Sequence, residues 1–183
     1  WSGGSTTLTD CLLDENTAGN LGGASTGGSI TARQTTFSNN IASNAGGAVY
    51  LTAGGTSSFT DCAFSKNQAN SAGGGALFLT GNQHELTVTT CAFEGNHAAG
   101  GEGGALRAQG KKLTLFRSTF KDNDIASSAA AKVMTLPTLP GSKIAWTLRA
   151  VRSSSAVAWK SAGLTALESA STSTLPVEGS MTT

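Results

Sequence analysis

Apolar residues recur along the first two thirds of this chain at fixed offsets from one anchor position. The anchors are Leu13, Phe37, Phe64, Phe93 and Phe120, spaced by 24, 27, 29 and 27 residues. Counting from the anchor as zero, position minus seven holds Thr6, Ile30, Ser57, Leu86 and Leu113, and minus five holds Leu8, Ala32, Phe59, Val88 and Leu115. Position minus two holds Cys11, Thr35, Cys62, Cys91 and Ser118. In an extended chain, residues of one parity share a face. The pairs minus seven/minus five and minus two/zero therefore predict two short strands, and the parity change between them predicts a bend. A Gly-Gly-Ala word follows each of the first four anchors, at Gly22, Gly46, Gly74 and Gly103. Behind the last three of these words comes another alternation, Val49 and Leu51, Leu77 and Leu79, then Leu106 and Ala108. It predicts a third strand whose opposite parity, Tyr50, Phe78 and Arg107, faces outward. Self-similarity at this period decides the fold before any other signal. Three short strands per repeat, parted by Gly- and Asn-rich corners, make one coil of a parallel β-helix. About five coils are expected over residues 5–135, stacked at about 4.8 Å.

Two polar columns run through the same register. Position plus three is Asn16, Asn40, Asn67, Asn96 and Asn123 without exception. Stacked amides can hydrogen-bond from coil to coil, and Asn tolerates a left-handed turn conformation, so this column reads as a structural ladder. The paired glycines supply either a positive φ or a close approach at a corner. A phosphate-binding loop would need a following lysine and a helix to receive the anion, and neither is present. At minus two, Cys62 and Cys91 fall in neighbouring coils, with Cys11 about 9.6 Å from Cys62 at two strand spacings. That distance excludes a bridge from Cys11. In-register side chains point alongside one another, and Thr and Ser fill the other coils, so the expectation is three free thiols acting as small buried filler.

Composition fits this architecture and divides the chain. Apolar residues are 38% and charged residues 13%, both low for a globular domain, with Gly, Ser, Thr, Ala and Asn in their place. A net charge of +1 gives no pull toward nucleic acid, and no apolar run is long enough to span a bilayer. All three prolines, Pro137, Pro140 and Pro176, lie in the last third, where Ala130-Ala131 stands at the expected site of a fifth Gly-Gly-Ala. The organisation expected is a repeat domain over 1–135 and a Ser/Ala/Thr-rich tail over 136–183, a linker or weak cap. In that tail Ile144, Trp146 and Leu148 alternate like a strand. Val157, Leu164 and Leu167 suggest a helical stripe, and Ser153–Ser155 and Ser169–Thr174 read as loop. The chain opens in mid-word at Trp1 and reads as a fragment. For residues 1–183 alone, open strand edges predict marginal stability and end-to-end association.

The alternating words Phe-x-x-Asn (Phe37 to Asn40, Phe64 to Asn67, Phe93 to Asn96, Phe120 to Asn123) and Gly-Gly-Ala-Val/Leu (Gly46 to Val49, Gly74 to Leu77, Gly103 to Leu106) resemble the repeats of the chlamydial polymorphic outer membrane protein family. The resemblance covers residues 5–126. It implies a right-handed parallel β-helix in a surface-exposed or secreted protein used in adhesion, hence a location outside the cell or at its surface (the outer membrane). The first copy departs from the pattern, with Leu13 in place of Phe and Ser25 after Gly-Gly-Ala, and no C-terminal membrane barrel is evident.

β-Helices also carry polysaccharide lyases and hydrolases, whose sites need clustered carboxylates with calcium or a basic proton acceptor on one outer face. Here minus three reads Asp10, Gln34, Asp61, Thr90 and Arg117, and no column places carboxylates in adjacent coils. Asp14 and Glu15 are explained by a solvated corner. His84 and His97 are expected in different corners, without a nucleophile. No catalytic residue, metal ligand or cofactor site is therefore assigned. The residues assigned are structural: the five asparagines as ladder, and Phe37, Phe64, Phe93 and Phe120 as core. The expected function is a non-catalytic structural or adhesive segment, with Tyr50, Phe78 and Arg107 contacting a host-surface protein or glycan. Further coils of a longer chain are the other expected partner. The alternative is a carbohydrate-active β-helix whose catalytic coils lie elsewhere.

Overall fold

The computed structural model describes residues 4–52, 54–126, 132–135, 144–150, 157–161, 164–166 and 176–181. Repeats of this length cannot bury an apolar face singly, and the chain resolves this by coiling. It forms a right-handed parallel β-helix in which each residue sits over its counterpart one repeat away. Four turns are complete and a fifth is begun, since the strand behind Gly-Gly-Ala occurs four times among the described residues.

Each coil carries four short strand segments, one more than the apolar pattern predicts. The first stack comprises Thr6–Thr9, Ile30–Arg33 and Gly55–Thr60, continued by the later part of Leu77–Thr89 and of Leu106–Phe116. The second is Leu12–Asp14, Thr36–Ser38, Ala63–Ser65, Ala92–Glu94 and Ser118–Lys121. The third, absent from the sequence-level expectation, consists of two-residue strands: Thr17–Ala18, Ile41–Ala42, Gln68–Ala69, His97–Ala98 and Asp124–Ile125. Two residues are too few to show an alternation, which is why the pattern hides them. The fourth stack is Ser25–Gly27 and Val49–Leu51, with the first parts of Leu77–Thr89 and Leu106–Phe116. In the third and fourth coils the fourth and first segments fuse into one bent strand with a register shift between Gly81 and Glu85. This corner helps absorb the uneven spacing of the anchors.

The bends have a regular cause. Minus three is left-handed in every coil, at Asp10, Gln34, Asp61, Thr90 and Arg117, with φ between 48° and 54°. So is plus two, at Glu15, Asn39, Lys66, Gly95 and Asp122. The left-handed residue thus precedes each ladder asparagine, and the asparagines themselves stay out of that region. In the Gly-Gly pairs both anticipated reasons hold, one for each glycine. The first is left-handed (Gly22, Gly46, Gly74, Gly103). The second permits close approach, since a Cβ on Gly75 would lie 1.9 Å from the carbonyl oxygen of Gly104.

The interior is a single apolar column system. Phe37, Phe64 and Phe93 are buried, and the four phenylalanine rings stack at 4.8, 4.6 and 4.7 Å with interplanar angles of 2–3°. Phe59 closes edge-on against Phe37 and Phe64. Val49, Leu51, Leu77 and Leu79 fill the opposite wall, and Phe120 is partly buried at the end of the stack. Beyond it, Ile144–Ala150 pairs with Ser118–Lys121 in parallel and with Pro176–Met181 antiparallel. Val157 and Leu164 lie in the paired strands Val157–Ser161 and Leu164–Ala166, not in a helix. Strand pairing satisfies the backbone of segments whose apolar periodicity is weak. Leu167, Ser153–Ser155 and Ser169–Thr174 lie outside the described residues.

Candidate functional site

The polar columns inside the solenoid are saturated by one another. Nδ2 of Asn16, Asn40, Asn67 and Asn96 donates to Oδ1 of the asparagine in the next coil, at 2.8, 2.9, 2.9 and 2.8 Å. That same Oδ1 accepts the backbone N–H of the preceding asparagine at 3.0–3.1 Å. The second amide hydrogen turns to the anchor carbonyl one coil back: Asn40 to Leu13, Asn67 to Phe37, Asn96 to Phe64 and Asn123 to Phe93, each at 2.9 Å. An amide has two donors and two acceptor positions, and every inner rung uses all four. No other side chain offers this set at this length.

A second ladder occupies minus two, where the expectation was filler alone. The thiol or hydroxyl of Cys11, Thr35, Cys62, Cys91 and Ser118 donates to the carbonyl two residues back, at 2.8–3.3 Å. Between coils, the backbone N–H of Cys62 donates to Sγ of Cys91 at 3.4 Å, and that of Cys91 to Oγ of Ser118 at 3.1 Å. The common property of Cys, Ser and Thr here is therefore a short donor–acceptor arm, legible in the column once hydrogen bonding is considered. All three cysteines are free, and Cys62 and Cys91 are buried. The side-chain interaction with the Cys62 thiol, together with burial, pushes the Cys91 thiol well above the ordinary thiol range, against the opposing pull of the Cys62 backbone N–H.

On the outer faces, charged groups are dispersed or paired. Asp14 accepts from the Ser38 hydroxyl at 2.6 Å and the Asn39 amide at 2.8 Å, which hold its carboxyl below the usual range. Lys111 lies 2.9 Å from Glu85 and lowers its pKa, while Lys121 is paired with Glu94 and its own pKa is raised. His97 meets Asp124 at 2.8 Å. His84 departs from its expected corner: it is buried within Leu77–Thr89, its Nε2 2.9 Å from Oγ of Ser57, which accepts the N–H of Ile30. Ser57 is itself fully buried, so this pair meets no substrate. Asp10 and Asp61 sit two coils apart, as the register requires. Among the described residues no group of three His, Cys, Asp or Glu could hold a metal ion.

Tyr50, Phe78 and Arg107 do form one outer column, behind Thr26, but they are not equally available. Phe78 is 7% exposed, contrary to expectation. Its ring meets Tyr50 edge-on at 5.4 Å on one side and lies under the Arg107 guanidinium at 4.8 Å on the other. An aromatic in a middle coil is covered by its column neighbours whichever way it points. Arg107 also donates to the Ala72 carbonyl, and its Nε lies 3.8 Å from Glu102.

The first strand stack presents two further outer columns of different character. Minus six aligns Thr7, Thr31, Ser58, Thr87 and Thr114. Minus four aligns Thr9, Arg33, Thr60, Thr89 and Phe116. Apart from Arg33 and Phe116 these columns are neutral Thr and Ser outside the core, which gives no signal in any one strand.

A family described as "Right handed beta helix region" matches residues 2–135. No curated protein and no solved structure matches the chain.

Proposed function

Because this chain belongs to the right-handed β-helix family, we propose that its coils serve as a non-catalytic structural and adhesive segment of a protein displayed at the cell surface or secreted. One observation carries this reading: the recurrent interior polar columns, Asn and Cys/Ser/Thr, are spent on joining coils to one another. Glu85, Glu94 and Asp124 are each matched to a base, while Asp14 is held by Ser38 and Asn39. A general-acid and general-base pair needs two carboxylates, or a carboxylate and a base, both open to one substrate. Asp10 and Asp61 are two coils apart, and the position between them in their own column is the uncharged Gln34. A stiff rod that holds outward side chains at fixed intervals matches what the sequence spends its register on. The half-buried Tyr50 and Arg107 are the side chains assigned to a host-surface protein or glycan, with Phe78 as their support rather than as a contact.

Assays on uronic-acid polymers with calcium test the enzymatic alternative directly. The expected result is no turnover. Turnover abolished by Asp61→Asn or Asp10→Asn would reverse the assignment in favour of a carbohydrate-active β-helix. Retention of the chain on glycan- or protein-coated surfaces, weakened by Tyr50→Ala with Arg107→Ala, is the positive counterpart.

A further inference from the structure

The two hydroxyl columns of the first strand stack form a lattice. Eight of their ten positions are Thr or Ser, with Arg33 and Phe116 the exceptions. Neighbouring rungs are about 4.8 Å apart across coils, and the two columns about 6.6 Å apart along each strand, two residues at about 3.3 Å. In the adjoining second strand stack the phenylalanine rings of the second to fifth coils lie within 3° of parallel from coil to coil, so these coils do not tilt against one another. The array is therefore straight along the solenoid axis. Among the described residues none of the eight hydroxyls has a hydrogen-bond partner, whereas the inward hydroxyls of Thr35, Ser57 and Ser118 do. Other outer columns mix types: plus one runs Asp14, Ser38, Ser65, Glu94 and Lys121. Charged groups flank this face at its edges, Asp10, Asp61 and Arg117 on one side and the Glu85–Lys111 pair with Lys112 on the other.

From this we propose that the Thr/Ser face is an ice-binding surface. Outside Arg33 and Phe116 the lattice offers only hydroxyls and methyls, which suits an uncharged partner, and its repetition in two directions suits a partner that itself repeats in two dimensions. A hydroxyl gives one donor and two acceptors, the same kinds of bond that water makes with its neighbours. Each threonine adds a methyl beside its hydroxyl, so water held on this face is anchored at regular points and caged between them. That arrangement joins a growing ice front without rearrangement. A crystalline polysaccharide is the competing solid. Sugar rings are bound on aromatic platforms and by planar amide or carboxylate groups, and this lattice has none within it apart from Phe116 at one end.

The test uses the full chain, fluorescently labelled, frozen slowly from dilute solution, with partition into ice and inhibition of ice recrystallisation as readouts. Incorporation into ice is expected, with loss in Thr87→Lys/Thr89→Lys, which places two long cations in the middle of the lattice. Arg33→Thr completes the interrupted rung and should increase the effect, a gain that a misfolded variant cannot produce. Circular dichroism should show the same β-helix in all three. Exclusion of the parent chain from ice, or full activity in the double-lysine variant, overturns the proposal. So does binding to crystalline chitin or cellulose that the double-lysine change abolishes while the ice readouts stay at background.

Discussion

At the residue scale, two interior positions separate packing from hydrogen bonding. Phe93 is 1% exposed and stacked between Phe64 and Phe120, so Phe93→Ala leaves a cavity that neighbouring coils, pinned by their backbones, cannot close. A loss of about 3–5 kcal/mol is expected from urea denaturation. Cys91 tests the other kind of contact. Ser118 performs the same bonding one coil along, so Cys91→Ser should stay within about 1 kcal/mol of the parent. Cys91→Val keeps the bulk but strips the acceptor from the Cys62 N–H, and should cost about 1–3 kcal/mol. Thiol titration of the unfolded chain without reductant should count three free groups; two missing would indicate an oxidised Cys62–Cys91 clip.

At the scale of the element, the corners carry the strain. Thr90 is β-branched and left-handed, with φ 53°, a conformation that costs an ordinary L-residue about 1–2 kcal/mol. Its backbone N–H still reaches the Phe116 carbonyl, and among the described residues its side chain has no hydrogen-bond partner. Thr90→Asn should therefore raise the melting free energy by about 1 kcal/mol, because Asn enters this region more easily. Gly75→Ala should do the reverse and lower the melting temperature, since the added methyl collides with the backbone of the next coil, which cannot move without parting the strands. Opposite signs at these corners of adjacent coils would separate conformational strain from close approach.

At the scale of the whole molecule, stability is a sum over neighbouring coils, and position along the stack matters. Asn67→Ala would orphan the N–H and one amide hydrogen of Asn40, remove the donor to the Phe37 carbonyl, and leave Oδ1 of Asn96 with a single partner. A loss of about 3 kcal/mol or more is expected. Asn16→Ala, at the exposed first rung, should cost about 1 kcal/mol, because water replaces its partners. Equal losses at the two sites would mean that the ladder adds nothing beyond a turn preference.

The sequence by itself determined the solenoid, its register and its core, because each depends on a pattern repeated at one offset: Phe64 over Phe93, Asn67 over Asn96. It also determined that two residues of each Gly-Gly word were needed, though for different reasons. Only the tertiary structure decided what depends on neighbours in the stack. The third strand of each coil is two residues long and takes its partners from coils above and below, so no local alternation announces it. The left-handed columns hide behind Lys66, Thr90 and Arg117, residues that do not advertise that conformation and adopt it because the coil must close. Phe78 points away from the core and is still buried, because Tyr50 and Arg107 arrive beside it from coils 28 and 29 residues away. The hydroxyl lattice is the largest such case. A Thr-x-Thr pair is unremarked in any one strand, and becomes a surface only when stacking sets five such strands side by side.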